Sequence, residues 1–367
     1  MEMQFIKLWQ LQYQKKSKRK AWDWNSSGVF RFFTSSQKQS KWIEEADFIG
    51  PALIFGTWGS ASIHYCNDSF SSSTDCFVLK SDRENIDMKY LYYFLRTNIA
   101  ILENGFKGAG LKHISKEYLS EIQIPLPPLE EQRSIVAKLD KIIELIDLKK
   151  EAIWKTEELT KSVFLEMFGD LTLNEKRWNI VNMKDICHKI TDWTHQPPKF
   201  TNEGIPFIFV QNMIKGAIDF SNTKYVSRET YENLTRNTKI EEGDIIYSSV
   251  WSFWVAVQVL SEKEFIFQRH IAHLKPDKNK IISRFLTFQM NTDFIFSQAK
   301  KVARGAAQPT INLWDIRLFK VALPELQIQR NFLNIFKKNR LIIEDQNQSL
   351  QKLQELYNTT TQELFSF

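Results

Sequence analysis

The run KKSKRK at 15–20 places Lys15, Lys16, Lys18, Arg19 and Lys20 within six residues. Cations so spaced on a loop suit phosphate contacts, which position a protein on a polyanion without reading it. A plain solvated loop is the alternative. Farther on, TSSQKQSK at 34–41 sets Gln37 and Gln39 beside Lys38 and Lys41. A carboxamide can donate to and accept from an adenine edge at once. The stretch DWTHQPPK at 192–199 offers Thr194, His195, Gln196 and Lys199 in a Pro-stiffened loop. Gln268, Arg269 and His270 are consecutive, and an arginine there has the fork that fits guanine O6 and N7. A buried ion pair explains Arg269 as well.

Bond-making chemistry finds little support. His270 and His273 form an HxxH, but in a strand-like run positions i and i+3 face opposite sides. No Cys or acidic cluster accompanies them, so no metal site is expected. The chain has no GxxxxGK[ST] phosphate loop, no [DNS]PP[YF] motif of the kind adenine methyltransferases use, and no glycine-rich loop for S-adenosylmethionine. No catalytic residue and no cofactor is expected.

The elements that must hold these loops come in two copies. At 367 residues the chain is too long for one ordinary domain. A shift of 197 aligns residues 108–168 with 305–365 without a gap. Gly108-Ala109 meets Gly305-Ala306, Leu126-Pro127 meets Leu323-Pro324, and Gln132-Arg133 meets Gln329-Arg330. Upstream the shift becomes 195, where KYLYYFLRT (89–97) resembles RFLTFQMNT (284–292). The first hundred residues of each copy match poorly, so the chain is a tandem duplication with a shared frame and divergent heads.

Each frame carries a long helix with a 3.5-residue seam. The seam runs Ile135, Leu139, Ile142, Ile146, Lys149, Ile153, Thr156, Thr160 in the first copy. In the second it runs Phe332, Phe336, Asn339, Ile343, Gln346, Leu350, Leu353, Tyr357. Pro127-Pro128 bars an earlier start, and Glu130 and Glu131 favour the positive N-terminal end. About 40 residues at ~1.5 Å each make a rod of roughly 60 Å that cannot bury its seam alone, so the two rods must pack together. Gln132, Arg133, Gln329 and Arg330, at matched helix entries, read as frame residues in contact with a head or a partner.

Each head reads as mixed α/β. Strand-like runs at 51–56, 76–80, 205–210, 243–249 and 264–276 are bounded by Gly, Ser, Asn and Asp clusters. A helix at 88–106 and its counterpart follow the strands. The net charge is +6, yet residues 129–168 hold 7 Lys/Arg against 9 Asp/Glu, and 326–365 hold 5 against 4. The basic excess therefore sits on the heads and suits a polyanionic partner. No apolar run approaches the ~18 residues of a membrane span, and no signal-like core opens the chain. Cys66, Cys76 and Cys187 form no CxxC pair; reduced thiols in a cytoplasmic protein are expected, though Cys66 and Cys76 could face each other across a hairpin.

With IQIPLPPLEEQRSIVAKLDKIIELIDLKKEAI (122–153), TDWTHQPPKF (191–200), GDIIYSSV (243–250), FQRHIAHLKPD (267–277) and ARGAAQPTINLWDI (303–316) in family order, the chain resembles a specificity (S) subunit of a Type I restriction-modification system. The resemblance covers essentially the whole length. It implies an α+β architecture: two tandem α/β target-recognition domains separated by two long helices packing as an antiparallel coiled coil. The expected boundaries are 1–127 for the first recognition domain and 128–170 for the first spacer helix. The second recognition domain follows at 171–324 and the second spacer helix at 325–367. It further implies that each head reads half of a bipartite double-stranded DNA site. Arg304 and Gln308 resemble a family loop that approaches DNA. Leu139, Ile142, Ile146, Phe336, Ile343 and Leu350 would build the spacer that docks two methyltransferase subunits and, through the complex, restriction subunits. On this reading the chain is not itself an enzyme. A stand-alone DNA-modifying enzyme and a coiled-coil adaptor with two protein-binding heads are the rival readings.

One departure stands out. Trp9, Trp22, Trp24, Trp58, Trp193, Trp251, Trp254 and Trp314 occupy positions where the family pattern has glycine, and the chain holds only 12 Gly in 367 residues, against about 7% in average usage. Turns that need φ > 0 exclude Trp sterically. This points to UGA codons that mean glycine in the source having been read as tryptophan; real aromatic residues used for base stacking are the alternative.

Overall fold

The computed structural model describes residues 4–192, 197–214, 216–250, 254–261, 263–305 and 309–365. The chain divides into two compact units, residues 1–153 with 346–367, and residues 154–345. Each unit is one head with part of both long helices.

In the first unit, strands β1 (Gln12–Tyr13), β2 (Ala52–Gly56), β3 (Ser62–Cys66) and β4 (Cys76–Lys80) form an antiparallel sheet in the order β1-β4-β2-β3. β2 is buried along its whole length, which its unbroken apolar run ALIFG requires. A second sheet pairs Phe30–Phe33 in parallel with Ser69–Ser72. Helix α1 (Met88–Thr97) starts where the Asp87 side chain accepts from Lys89 N and Tyr90 N. The first long helix, α2 (Leu129–Phe168), starts just after Pro127-Pro128.

The second unit repeats the plan. Strands β5 (Cys187–Thr191), β6 (Ile245–Ser248), β7 (Ala256–Gln258) and β8 (Ile271–Pro276) take the order β5-β8-β6-β7. Here too a second sheet has one parallel pair, Ile205–Ile208 with Ile266–Phe267. The run expected as one strand at 264–276 is broken: Gln268–His270 form a turn between Ile266–Phe267 and β8. The helix expected at 88–106 likewise ends at Thr97 and restarts over Ile99–Glu103. Helix α3 (Ser283–Met290) matches α1, and the second long helix is α4 (Leu326–Phe365).

The matched glutamines join frame to head. Gln132 is fully buried; its Oε1 accepts from Asp87 N (2.9 Å), and its Nε2 donates to Asn85 O (3.0 Å) and Pro127 O (2.8 Å). Gln329, equally buried, accepts from Ile282 N (2.9 Å) and donates to Pro324 O (2.8 Å) and Lys280 O. Each carboxamide thereby pairs largely part-buried backbone groups of head and helix entry. Arg133 and Arg330 point outward, Arg133 toward Glu130 at 3.5 Å.

The long helices pack as an antiparallel coiled coil. Every position of both seams is buried or half-buried, including Leu139, Ile142, Ile146, Phe336, Ile343 and Leu350. In the first unit Leu139 and Phe365 share one core, with the Phe365 ring 5.8 Å from Tyr90 and 5.7 Å from Phe94. In the second, the rings of Phe164, Phe168, Phe285 and Phe332 cluster with centroids 4.8 to 6.2 Å apart.

The steric case for glycine at the tryptophans does not hold here. Trp9, Trp22, Trp24, Trp58, Trp254 and Trp314 are described, and the only non-glycine residues at positive φ among the described residues are Asn174 and Arg177. The left-handed residue of the GTWGSAS turn is Gly59 (φ 84°), next to Trp58. Trp9, Trp22, Trp24, Trp58 and Trp314 are exposed, while Trp254 packs in the second unit's core against Phe296. Trp193 and Trp251 lie outside the described residues. The three cysteines are free thiols, and burial pushes that of Cys76 up to about 12.

Candidate nucleic-acid interface

In the first unit four loops meet at one end of the head. The KKSKRK segment is tied to the loop before β4 by Thr74 N donating to Arg19 O at 2.8 Å. Ser35 is the hub of the next pair: its Oγ donates to Asp75 O (2.9 Å) and accepts from Thr57 N (3.1 Å) and Trp58 N (3.2 Å). The fourth loop, 107–113, is stitched on by Gly59 N to Lys112 O (2.9 Å) and Ile114 N to Thr57 O (3.1 Å). Its Gly108 sits at φ 140°, as its counterpart Gly305 sits at 109°, a region that side chains disfavour.

Within this end, the cations differ in availability. Lys15, Lys16, Lys18 and Lys20 are exposed and line or flank a shallow groove of about 610 Å³. Lys16 lies over the Phe77 ring (4.8 Å) and Lys20 over Trp22 (5.4 Å). Arg19 is different. Its guanidinium donates to Asp47 (2.8 and 2.9 Å) and Glu45 (3.1 Å), and these bonds, with Asp47 foremost, raise its pKa further. Burial opposes the Asp47 charge, but hydrogen bonds from Arg19 and Ser17 outweigh it and hold the carboxyl below its ordinary value. Arg19 is thus spent on folding the loop that presents the four lysines.

The amides of the second loop are oriented by the head. Gln37 Nε2 donates to Ala61 O (3.3 Å) and Gln39 Nε2 to Lys41 O (2.6 Å), while Lys38 is exposed. Lys41 Nζ donates to Ala21 O at 2.9 Å, joining this loop to the end of the lysine run. Sequence reasoning missed Lys107, Lys112, His113 and the tilted ring contact of Trp58 with His113 (centroids 5.3 Å). The repeat held the signal, because the 197-residue shift carries Lys107 onto Arg304.

The second unit builds the same end from matching bonds. Ile311 N donates to Ser249 O (2.8 Å), the counterpart of Ile114 and Thr57. Ser249 N and Oγ donate to His270 O (2.9 and 3.0 Å), so the turn with Gln268 and Arg269 joins the loop that begins at Arg304. Arg269 is exposed, its Nε donating to His270 Nε2 (3.2 Å), and it forms no ion pair with a described carboxylate. Burial first, then the Arg269 charge, lower the His270 pKa, so its ring is neutral near pH 7. Gln268 is half-buried with its backbone N donating to Ile208 O (3.0 Å). Arg304 is aimed by Asp315 at 3.3 Å and remains largely exposed. Lys199 is exposed before the strand Phe200–Thr201. Thr194, His195, Gln196 and Gln308 lie outside the described residues.

The HxxH histidines part ways. His273 is fully buried and bonded to Asp244 (2.7 Å), which also receives Lys275 (2.9 Å). Burial opposes the Asp244 charge, but these donors keep its pKa low. No cluster able to hold a metal occurs among the described residues, and no described helix is long and apolar enough to cross a membrane.

Known proteins share this plan. The profile of the Type I restriction modification DNA specificity domain matches residues 8–158 and again 175–355. The Type I restriction enzyme MjaVIII specificity subunit of Methanocaldococcus jannaschii is 23% identical over 299 residues, spanning 76% of this chain and 70% of that protein. The EcoBI specificity subunit of Escherichia coli is 20% identical over 334 residues, spanning 82% and 68%. The crystal structure of the Type I restriction-modification S subunit from M. genitalium superimposes with a TM-score of 0.62, covering 99% of this chain and 96% of that one at 16% identity, a likeness of fold.

Proposed function

The chain belongs to the Type I restriction-modification DNA specificity family, and on that premise we propose that its two heads read the two halves of a bipartite double-stranded DNA site. The observation that carries this reading is the matched loop end of each head. In both, a strand-end loop is hydrogen-bonded to the loop of the 197-residue repeat, through Thr57 and Ile114 in one and Ser249 and Ile311 in the other. On this reading Lys15, Lys16, Lys18 and Lys20 with Lys107 and Lys112 supply phosphate contacts, and Gln37, Gln39, Arg269 and Arg304 address base edges. Heads that share a scaffold and differ in loop residues suit two different half-sites.

The coiled coil is the spacer and the dock. Each long helix exposes apolar residues off the seam, among them Leu145, Leu148 and Leu159 on α2 and Leu341, Ile342 and Leu356 on α4. Such residues support docking of methyltransferase subunits, and restriction subunits join through that complex. The subunit contributes recognition, while methyl transfer and ATP-driven steps belong to its partners. Co-expression with its methyltransferase in a methylation-free host, followed by single-molecule sequencing, tests the reading. Modified adenines in a two-part motif with a fixed gap are expected; a contiguous motif, or none from an assembled complex, would overturn it.

A further inference from the structure

The two copies of the frame differ at one cleft in where their carboxylates lie. In the first unit the cleft lies between α1 and α2. There Lys89 Nζ donates to Asp140 Oδ2 at 2.7 Å, and the Tyr93 hydroxyl donates to the same carboxylate. The buried glutamines set the correspondence with the second unit. Asp87 N bonds Gln132 as Ile282 N bonds Gln329, so Lys89 corresponds to Arg284 and Asp140 to Lys337. By the same alignment Ile143 becomes Arg340 and Glu144 becomes Leu341. A cation is retained on the head helix, and both acids on the spacer helix are gone.

The second cleft is an open cavity of about 660 Å³ lined by Lys161, Arg284, Phe288, Phe336 and Arg340. Arg284 is half-buried over the Phe336 ring at 5.1 Å and forms no ion pair with a described carboxylate. Burial first, and the Arg340 charge second, lower its pKa. Arg340 meets Glu344 at 3.6 Å and Lys161 meets Glu158 at 2.7 Å, both exposed pairs. Asp170 and Asp293 also line the cavity, but neither pairs with Arg284. A half-buried guanidinium beside a second one is a charge arrangement that an anion would relieve.

We propose that this cleft of the second unit receives a carboxylate from an acidic segment of another protein chain, whereas in the first unit the head-helix cation Lys89 is already paired with Asp140. A carboxylate, rather than a phosphate, is the occupant because the same place in the first unit is filled by one. The aromatic floor of Phe288 and Phe336 suits the methylene stem of a glutamate. The inference holds whether or not the heads read DNA.

Fluorescence anisotropy of a labelled octaglutamate peptide on the full chain tests it. Lys337→Asp restores the carboxylate of the first unit at an exposed helix position, and Arg284→Gln removes the receptor. Each should weaken the peptide about tenfold, while Lys338→Asp, the same charge change one residue on, leaves affinity within about twofold. Equal losses in Lys337→Asp and Lys338→Asp, or no binding by the unaltered chain, would overturn the proposal. So would a parallel loss of affinity for a random-sequence duplex in Lys337→Asp and Arg284→Gln but not Lys338→Asp, which would make the cleft a phosphate site.

Discussion

Lys149 and Gln346, the same position in the two copies of the repeat, meet across the coiled coil, with Lys149 Nζ donating to Gln346 Oε1 at 2.9 Å. Two copies of one helix packed antiparallel can place equivalent positions side by side at only one level. A second polar pair, Asn339 Nδ2 donating to Thr160 Oγ1 at 3.0 Å, lies on the seam in the second unit. Polar seam positions that match only in one alignment select register at some cost in stability.

Asn339→Ala should therefore destabilise the chain by about 1–2 kcal/mol, since a buried hydrogen bond is lost. The double change Asn339→Leu with Thr160→Val should come out near neutral, because both partners are then apolar. Urea unfolding of the two variants checks the contrast.

Gln132→Ala and Gln329→Ala each strip partners from one part-buried backbone N–H and two carbonyls. Each should cost on the order of 3 kcal/mol. Hydrogen exchange should show faster opening at Asp87 in the first variant and at Ile282 in the second.

Among the cations of the first loop, the lysines and Arg19 should behave differently toward DNA. Each of Lys15, Lys16 and Lys18 that touches a phosphate contributes about 0.9 to the salt slope of binding. Changing all three to Ala should flatten that slope while leaving the melting temperature almost unchanged. Arg19→Ala should instead lower the melting temperature of the head, since it releases Asp47 and Glu45. Salt-dependent titrations and thermal melts separate the two outcomes.

Acid should act in two stages. The His64 pKa is lowered, mainly by burial, so the folded ring resists a proton that the unfolded chain accepts below about 6.5. Stability therefore falls as pH drops through that value. Asp47 and Asp244 have lowered pKa values, so their contribution is complete above the unfolded value of about 3.9 and is lost as pH falls through their folded values. His64→Gln should shrink the first stage in a pH series of thermal melts to the part that His270 contributes, and leave the second.

The sequence by itself determined the duplication, the two long helices and their seams, because a 3.5-residue period and a constant 197-residue shift are local and repetitive signals. It also placed the proline entries and the matched glutamines, whose burial follows from a repeated helix start. What only the tertiary structure decided is which charged groups remain free. Arg19 and the four lysines look alike as a run, yet carboxylates 26 and 28 residues away claim Arg19 alone. The 107–113 loop joined the site through bonds to Thr57 and Gly59, and Gly59 rather than Trp58 took the left-handed turn. That Arg284 lacks the carboxylate partner that Lys89 finds in Asp140 emerged only where α1 and α3 meet the long helices. Ion pairing and loop assembly depend on which distant residues the fold brings within a few ångströms, and no periodicity along the chain encodes that.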